Sequence, residues 1–236
     1  MRKTYCAAIA LVLTATAAQA QEKELIFYGV QMEQLEYRQG DTGQNLMVWD
    51  GDAFVGTDEI KLRWLGEGEY DTDEEVLESM ENRLVLQMPI STFFDLKAGV
   101  RLDTPDGPDR LFGVVGVAGL APQWIEVDAD LFVSETGDVS ARVDAEYELL
   151  ITNRLILIPS LEVDVAFTED REIGVATGLN SVEFGVRLSY DLIDRMLSPY
   201  VGVAYERKFG RTADFAREEG EDTSALFGVI GARLMF

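Results

Sequence analysis

Trp124-Ile-Glu-Val-Asp-Ala-Asp-Leu-Phe-Val133 is the stretch that decides the fold. Its odd positions Ile125, Val127, Ala129, Leu131 and Val133 are apolar, while its even positions include Glu126, Asp128 and Asp130. Successive side chains of an extended strand point to opposite faces, so one face meets an apolar medium and the other a polar one. The next segment repeats the pattern. Val139, Ala141, Val143, Ala145, Tyr147 and Leu149 alternate with Ser140, Arg142, Asp144, Glu146 and Glu148. Leu161, Val163 and Val165 then alternate with Glu162 and Asp164, and Val182, Phe184, Val186 and Leu188 with Glu183 and Arg187.

In a soluble sandwich or a lipocalin-like barrel the apolar face meets other protein. In a transmembrane barrel it meets lipid, and the polar face lines the lumen. Three features favour lipid. The strands read as long, near ten residues or more. Residues 1–20 read as an export leader, with Arg2 and Lys3, an apolar run from Ala7 to Ala18, and the cleavage pattern Ala18-Gln19-Ala20. The chain closes on an alternating strand, Leu226-Phe-Gly-Val-Ile-Gly-Ala-Arg-Leu-Met-Phe236. Such an ending resembles the signal by which outer-membrane barrels engage their assembly machinery, which makes Phe236 the expected contact. The expectation is an all-β chain over residues 21–236: a transmembrane antiparallel up-and-down β-barrel of about twelve strands in a Gram-negative outer membrane.

The strands are expected at roughly 25–38, 44–50, 58–69, 75–89, 93–103, 110–120, 123–133, 139–151, 155–166, 180–192, 198–208 and 225–236. Pro89–Thr92, Leu120–Pro122, Thr152–Asn153 and Arg195–Leu197 read as tight turns. Gln39–Gly43, Thr104–Asp109, Thr168–Gly178 and Gly210–Ser224 read as polar, mostly longer loops, the usual barrel asymmetry. Asp50-Gly51 is a hairpin signal, so residues 44–58 also read as a short extra hairpin. Phe93, Phe94, Trp124, Tyr190, Tyr200 and Phe236 lie near the short turns. They fit an interfacial girdle or the ordinary strand preference of aromatics.

Composition excludes several chemistries. The whole chain has 20 basic and 43 acidic side chains; without the leader the balance is 18 against 43, a net charge of −25. Nucleic acid, which is bound through Lys and Arg on phosphates, is not an expected partner. The charge reads either as solubility or as a field that draws cations. Cys6 is the one cysteine and lies in the leader, so the mature chain has no thiol, no disulfide and no Cys metal ligand. There is no histidine, which removes His-based triads, general bases and metal ligands, and with them the expectation of an enzyme.

The inward faces carry charge of both signs. Glu126, Asp128, Asp130, Asp144, Glu146, Glu148, Glu162 and Asp164 form an acidic wall, and Lys61, Arg63, Arg83, Lys97 and Arg101 a basic one. In a closed barrel the two walls are expected across from each other. They then make either a salt-bridged plug or a charged constriction that selects cations. The run Arg217-Glu-Glu-Gly-Glu-Asp222 reads as a solvated loop or a chelator of hard cations.

Several blocks resemble the copper resistance protein B family of outer-membrane proteins. They are Leu35-Glu-Tyr-Arg38, Val48-Trp-Asp-Gly51, Phe94-Asp-Leu-Lys-Ala-Gly-Val-Arg101, Gly119-Leu-Ala-Pro122, Ser140-Ala-Arg-Val-Asp-Ala-Glu-Tyr-Glu148, and Tyr205-Glu-Arg-Lys-Phe-Gly-Arg-Thr-Ala-Asp-Phe-Ala-Arg217 followed by Gly220-Glu-Asp222. The resemblance runs from about residue 25 to the C-terminus. It implies an outer-membrane barrel used in copper homeostasis or resistance, copper as the ion handled, and periplasmic copper-handling proteins as partners. Members of the family often carry a long Met- and His-rich segment ahead of the barrel. Here the leader runs almost directly into Leu25-Ile-Phe-Tyr28, so that store of soft ligands is expected to be missing.

Cu(I) takes thioether and thiolate ligands, and Cu(II) takes nitrogen and oxygen donors. The thioethers after Met1 are Met32, Met47, Met80, Met88, Met196 and Met235. Met32 and Met47 fall on neighbouring strands, with Glu36 two pleats beyond Met32, so these three are the candidate metal site. The same methionines read more readily as packing or lipid-facing residues. Two functions are carried forward: a copper-homeostasis barrel that binds, passes or sequesters copper, and a general small-solute channel or structural barrel with no direct metal binding.

Overall fold

The computed structural model describes residues 25–104 and 108–236; the expected leader lies outside the described residues. The strands are β1 (Phe27–Gly40), β2 (Asn45–Gly56), β3 (Lys61–Asp71), β4 (Val76–Pro89), β5 (Phe94–Asp103), β6 (Arg110–Ala121), β7 (Ile125–Ser134), β8 (Val139–Glu146), β9 (Leu149–Leu150), β10 (Leu155–Ala166), β11 (Gly178–Tyr190), β12 (Leu197–Lys208) and β13 (Ser224–Met235). β8 and the short β9 both pair with β10 and form one wall, interrupted at Tyr147–Glu148. Every wall is antiparallel to its neighbours in chain order, and β13 pairs with β1, so twelve walls close into an up-and-down barrel.

Alternation decides which way each residue faces. On β6, Phe112 and Val114 are buried while Leu111 and Val115 are each 48 % exposed. On β7 the buried residues are Asp130 and Phe132, and the exposed ones Leu131 and Val133. Such an exposed apolar row is what a barrel presents to lipid. Closure leaves no unpaired edge, so every strand satisfies its backbone polar groups within the membrane. No helix among the described residues is long and apolar enough to cross a membrane; the strands do the crossing.

Three features depart from the sequence expectation. β2 runs unbroken through Asp50-Gly51 to Gly56, so there is no extra hairpin there. The glycine serves a close approach instead: a Cβ at Gly51 would lie 2.9 Å from the Met32 sulfur. The last external loop holds a helix, α1 (Gly210–Glu219), which ends on Gly220 in the left-handed conformation. The acidic run 217–222 is therefore a helix end, with Arg217 paired to Asp214 at 2.6 Å and Glu221 to Lys208 at 2.6 Å. Finally, Tyr200 does not join the turn-end aromatics. Phe93, Trp124, Tyr190 and Phe236 are exposed, but Tyr200 is buried in the lumen.

The interior holds two apolar clusters that the alternating pattern did not announce. Val85, Phe112, Val114 and Phe132 pack together on β4, β6 and β7. Leu46, Tyr200, Ala204, Ala225, Phe227 and Val229 pack together on β2, β12 and β13. Charged side chains fill the space between them.

Candidate functional site

The candidate site is the lumen itself. A cavity of about 730 Å³ runs from Phe93 and Leu120 at the turn end towards Ser79, Ser181 and Glu206 nearer the loop end. Fifteen carboxylate residues and five arginines line it, which leaves the space strongly acidic. The charge follows from placement: β2, β3, β7, β8 and β10 each carry at least two inward Asp or Glu residues.

The expected acidic and basic walls interlock instead of facing each other across an open bore. Lys97 on β5 bonds to Asp128 and, at 3.0 Å, to Asp130 on β7, only two walls away. Arg83 on β4 meets the same Asp130 at 2.8 Å and also bonds to Glu67. Arg101 turns to Glu81 at 2.7 Å and Asp103 at 2.6 Å, with its guanidinium 4.4 Å from the Phe132 ring centroid. Arg63 pairs with Asp52 on the adjacent strand at 2.9 Å. Lys61 sits at the turn-end start of β3 and has no ion pair among the described residues.

The rest of the acidic set divides in two. Glu146 and Glu148 are held by Arg233 at 2.5 and 3.5 Å, and Glu162 and Asp164 by Arg142 at 3.4 and 3.0 Å. Glu126 and Asp144 line the cavity without an ion pair among the described residues, as do Asp50, Glu69 and Glu206. A buried carboxylate in a neutralising pair is spoken for; these others have no basic partner among the described residues.

The three residues of the candidate metal site are not brought together. β1 carries a bulge between Met32 and Gln34, where its pairing with β2 shifts register. The extra residue reverses the alternation, so Met32 and Glu36 leave the strand on opposite faces. Met32 lies against Gly51, which sits between the lumen-lining Asp50 and Asp52 and so faces outward. Met47 is 38 % exposed on the outer surface, beside the inward-facing Leu46. Glu36 is buried and fully engaged, accepting from Arg38 at 2.6 Å, Arg187 at 2.9 and 3.0 Å, and the Tyr200 hydroxyl at 2.9 Å. Of the methionines, Met80 lines the cavity. No group of three Asp or Glu among the described residues is arranged to hold a metal ion.

Sequence reasoning left Arg38, Arg142, Arg187 and Arg233 out of the basic wall. Arg187 and Arg38 on β11 and β1 clamp Glu36, and Arg38 also takes Glu183 at 3.0 Å. Arg142 was legible as an inward residue of β8, but nothing in its own strand showed that it reaches Glu67 at 3.1 Å on β3.

Comparison with known proteins places this lumen in a family. Residues 26–236 match the family described as copper resistance protein B precursor (CopB). The copper resistance protein B homolog of Pseudomonas syringae pv. tomato is 35 % identical over 204 residues, spanning 86 % of this chain and 68 % of that protein. Copper resistance protein B of Escherichia coli is 36 % identical over 211 residues, spanning 89 % and 70 %. Among solved structures, the NanC porin matches with a TM-score of 0.51 and 12 % identity over 88 % of this chain and 99 % of the porin, a likeness of fold alone. With that fold and a family match over nearly the whole barrel, the chain belongs to the copper resistance protein B family and is a barrel of the outer membrane.

Proposed function

We propose that this barrel handles copper by drawing Cu(II) into its lumen and letting it pass, with the lumen carboxylates as transient oxygen ligands. One observation carries the reading: fifteen acidic residues against five arginines around a cavity of about 730 Å³. A low-dielectric wall with an excess of one sign concentrates counter-ions inside it. The donors fit the oxidation state, since oxygen suits Cu(II) and the soft ligands that favour Cu(I) are represented on the cavity by Met80 alone. Passage requires weak, exchangeable binding, and carboxylates spread over many strands offer it. Family membership supports copper as the ion; docking of periplasmic copper-handling proteins at the turn end belongs to the same proposal.

The test is flux into lipid vesicles that carry the barrel and an entrapped copper-sensitive dye, with metal analysis of the washed vesicles. Cu(II) entry above that of protein-free vesicles is expected, reduced severalfold by Asp50→Asn/Asp144→Asn and unchanged by Met32→Ala/Met47→Ala. Equal rates for Cu(II) and Ca(II) favour an unselective small-cation channel. No flux and no retained copper would overturn the proposal.

A further inference from the structure

Arg142 differs from the other basic residues of the lumen in how far its contacts reach. Its guanidinium meets Glu67 on β3 at 3.1 Å and Glu81 on β4 at 3.3 Å, while Nε meets Asp164 at 3.0 Å and Glu162 at 3.4 Å on neighbouring β10. Counted around the ring, β8 and β3 are five walls apart one way and seven the other. The Arg142–Glu67 pair therefore crosses the bore. The remaining interstrand ion pairs among the described residues span less of the circumference. Arg233–Glu146 spans four walls, Arg38–Glu183, Arg187–Glu36 and Arg83–Asp130 span three, and Lys97–Asp130 spans two.

The line from β8 to β3 divides the lumen. On one side lie β4 to β7 with the Phe112–Phe132 cluster; on the other lie β10 to β2 with the Tyr200–Phe227 cluster. Each flank is filled by apolar side chains, and the span between is occupied by one arginine held from both ends. Its side chain is 14 % exposed. A fixed positive charge at that crossing also opposes the entry of cations that the surrounding carboxylates attract.

We infer that Arg142 is a strut that narrows the bore, and that cutting it widens the barrel into a more conductive, cation-selective channel. Its use in regulating copper passage rests on the function proposed above. Without Arg142, Glu162 and Asp164 lose their one ion-pair partner, while Glu67 keeps Arg83 and Glu81 keeps Arg83 and Arg101. The crossing then has carboxylates on both sides and no cation between them, so it hydrates and the walls repel.

Planar bilayers with the full-length mature barrel in potassium chloride test this without copper. Arg142→Gln is expected to raise single-channel conductance severalfold over the parent. It also moves the reversal potential in a salt gradient towards the potassium equilibrium value. Glu67→Gln, which cuts the same pair from the opposite wall, is expected to raise conductance as well, and decides the matter alone where Arg142→Gln does not give the shifted, heat-sensitive gel migration of a folded barrel. Folded variants that conduct like the parent overturn the strut. A widened Arg142→Gln channel beside absent copper flux would instead keep the strut and sink the copper reading. Copper flux in the parent with no effect of either variant would do the reverse.

Discussion

Asp130 shows how tightly single residues are matched in this lumen. Its carboxylate takes Arg83 at 2.8 Å and Lys97 at 3.0 Å, all three side chains being almost fully buried. It fits because residue 116 is glycine: a Cβ there would lie 1.8 Å from Asp130 Oδ1 and 2.6 Å from the Ala129 carbonyl oxygen. Gly116→Ala is therefore expected to cost about 1–3 kcal/mol by overpacking. Asp130→Ala leaves Arg83 with Glu67 and Lys97 with Asp128, and is expected to cost about 1.5–3 kcal/mol, as for lost hydrogen bonds to charged groups. Urea unfolding of the barrel in vesicles, followed by tryptophan fluorescence, reads both. Unchanged midpoints would mean that the ion network contributes nothing to stability. Glycine at 116 is legible in the sequence, but its reason is not, because the atom it makes room for comes from the neighbouring strand.

At the scale of the element, β6 is a clean test of which face meets lipid. Val115 is mid-strand, 48 % exposed, and paired with Ala98 and Leu131 on its neighbours. Val115→Arg is expected to destabilise the folded barrel by about 2–4 kcal/mol, the cost of a cation near the bilayer midplane. The same unfolding experiment measures it, and a cost near zero would place that face out of the hydrocarbon. Strand positions were readable because alternation is a local property, and eleven of the twelve expected strands lie within a few residues of those observed. The exception is β2, where Asp50-Gly51 is a strong turn signal that pairing on both sides overrides. Glu36 teaches the complementary lesson. Counting pleats from Met32 assigns it to the wrong face, because the bulge before Gln34 adds one residue that no local pattern marks.

For the whole molecule, closure depends on the seam between β1 and β13. Phe236 donates its backbone N–H to the Val30 carbonyl at 2.8 Å and accepts from the Val30 N–H at 3.0 Å, which locks the last residue of the chain to the first strand. Deleting Phe236 removes both bonds at the end where the ring is completed. The folded fraction is expected to fall, as measured by heat-sensitive gel migration after refolding into vesicles; the same folded yield as the parent would show that the seam closes without them. The loop end is tied together separately. Arg110 bonds to Asp170 at 2.9 Å and Glu172 at 2.6 Å, Arg211 to Glu169 at 2.6 Å, and the guanidinium groups of Arg171 and Arg211 lie 5.0 and 5.4 Å from the centroid of the Phe215 ring of α1.

The amino-acid sequence by itself determined the barrel, its strand number and the polarity of its two surfaces, because period-two alternation and turn residues act over a few neighbours in the chain. It also carried the family, through blocks such as Tyr205–Arg217. The character of the lumen was decided only by tertiary structure. Whether inward acids and bases oppose one another, pair, or leave carboxylates free depends on which strands are brought together around the ring, and on long side chains that reach across it. Arg142 meets Glu67 75 positions away in the chain. Such a contact has no local signature, since it exists only once the last strand has paired with the first.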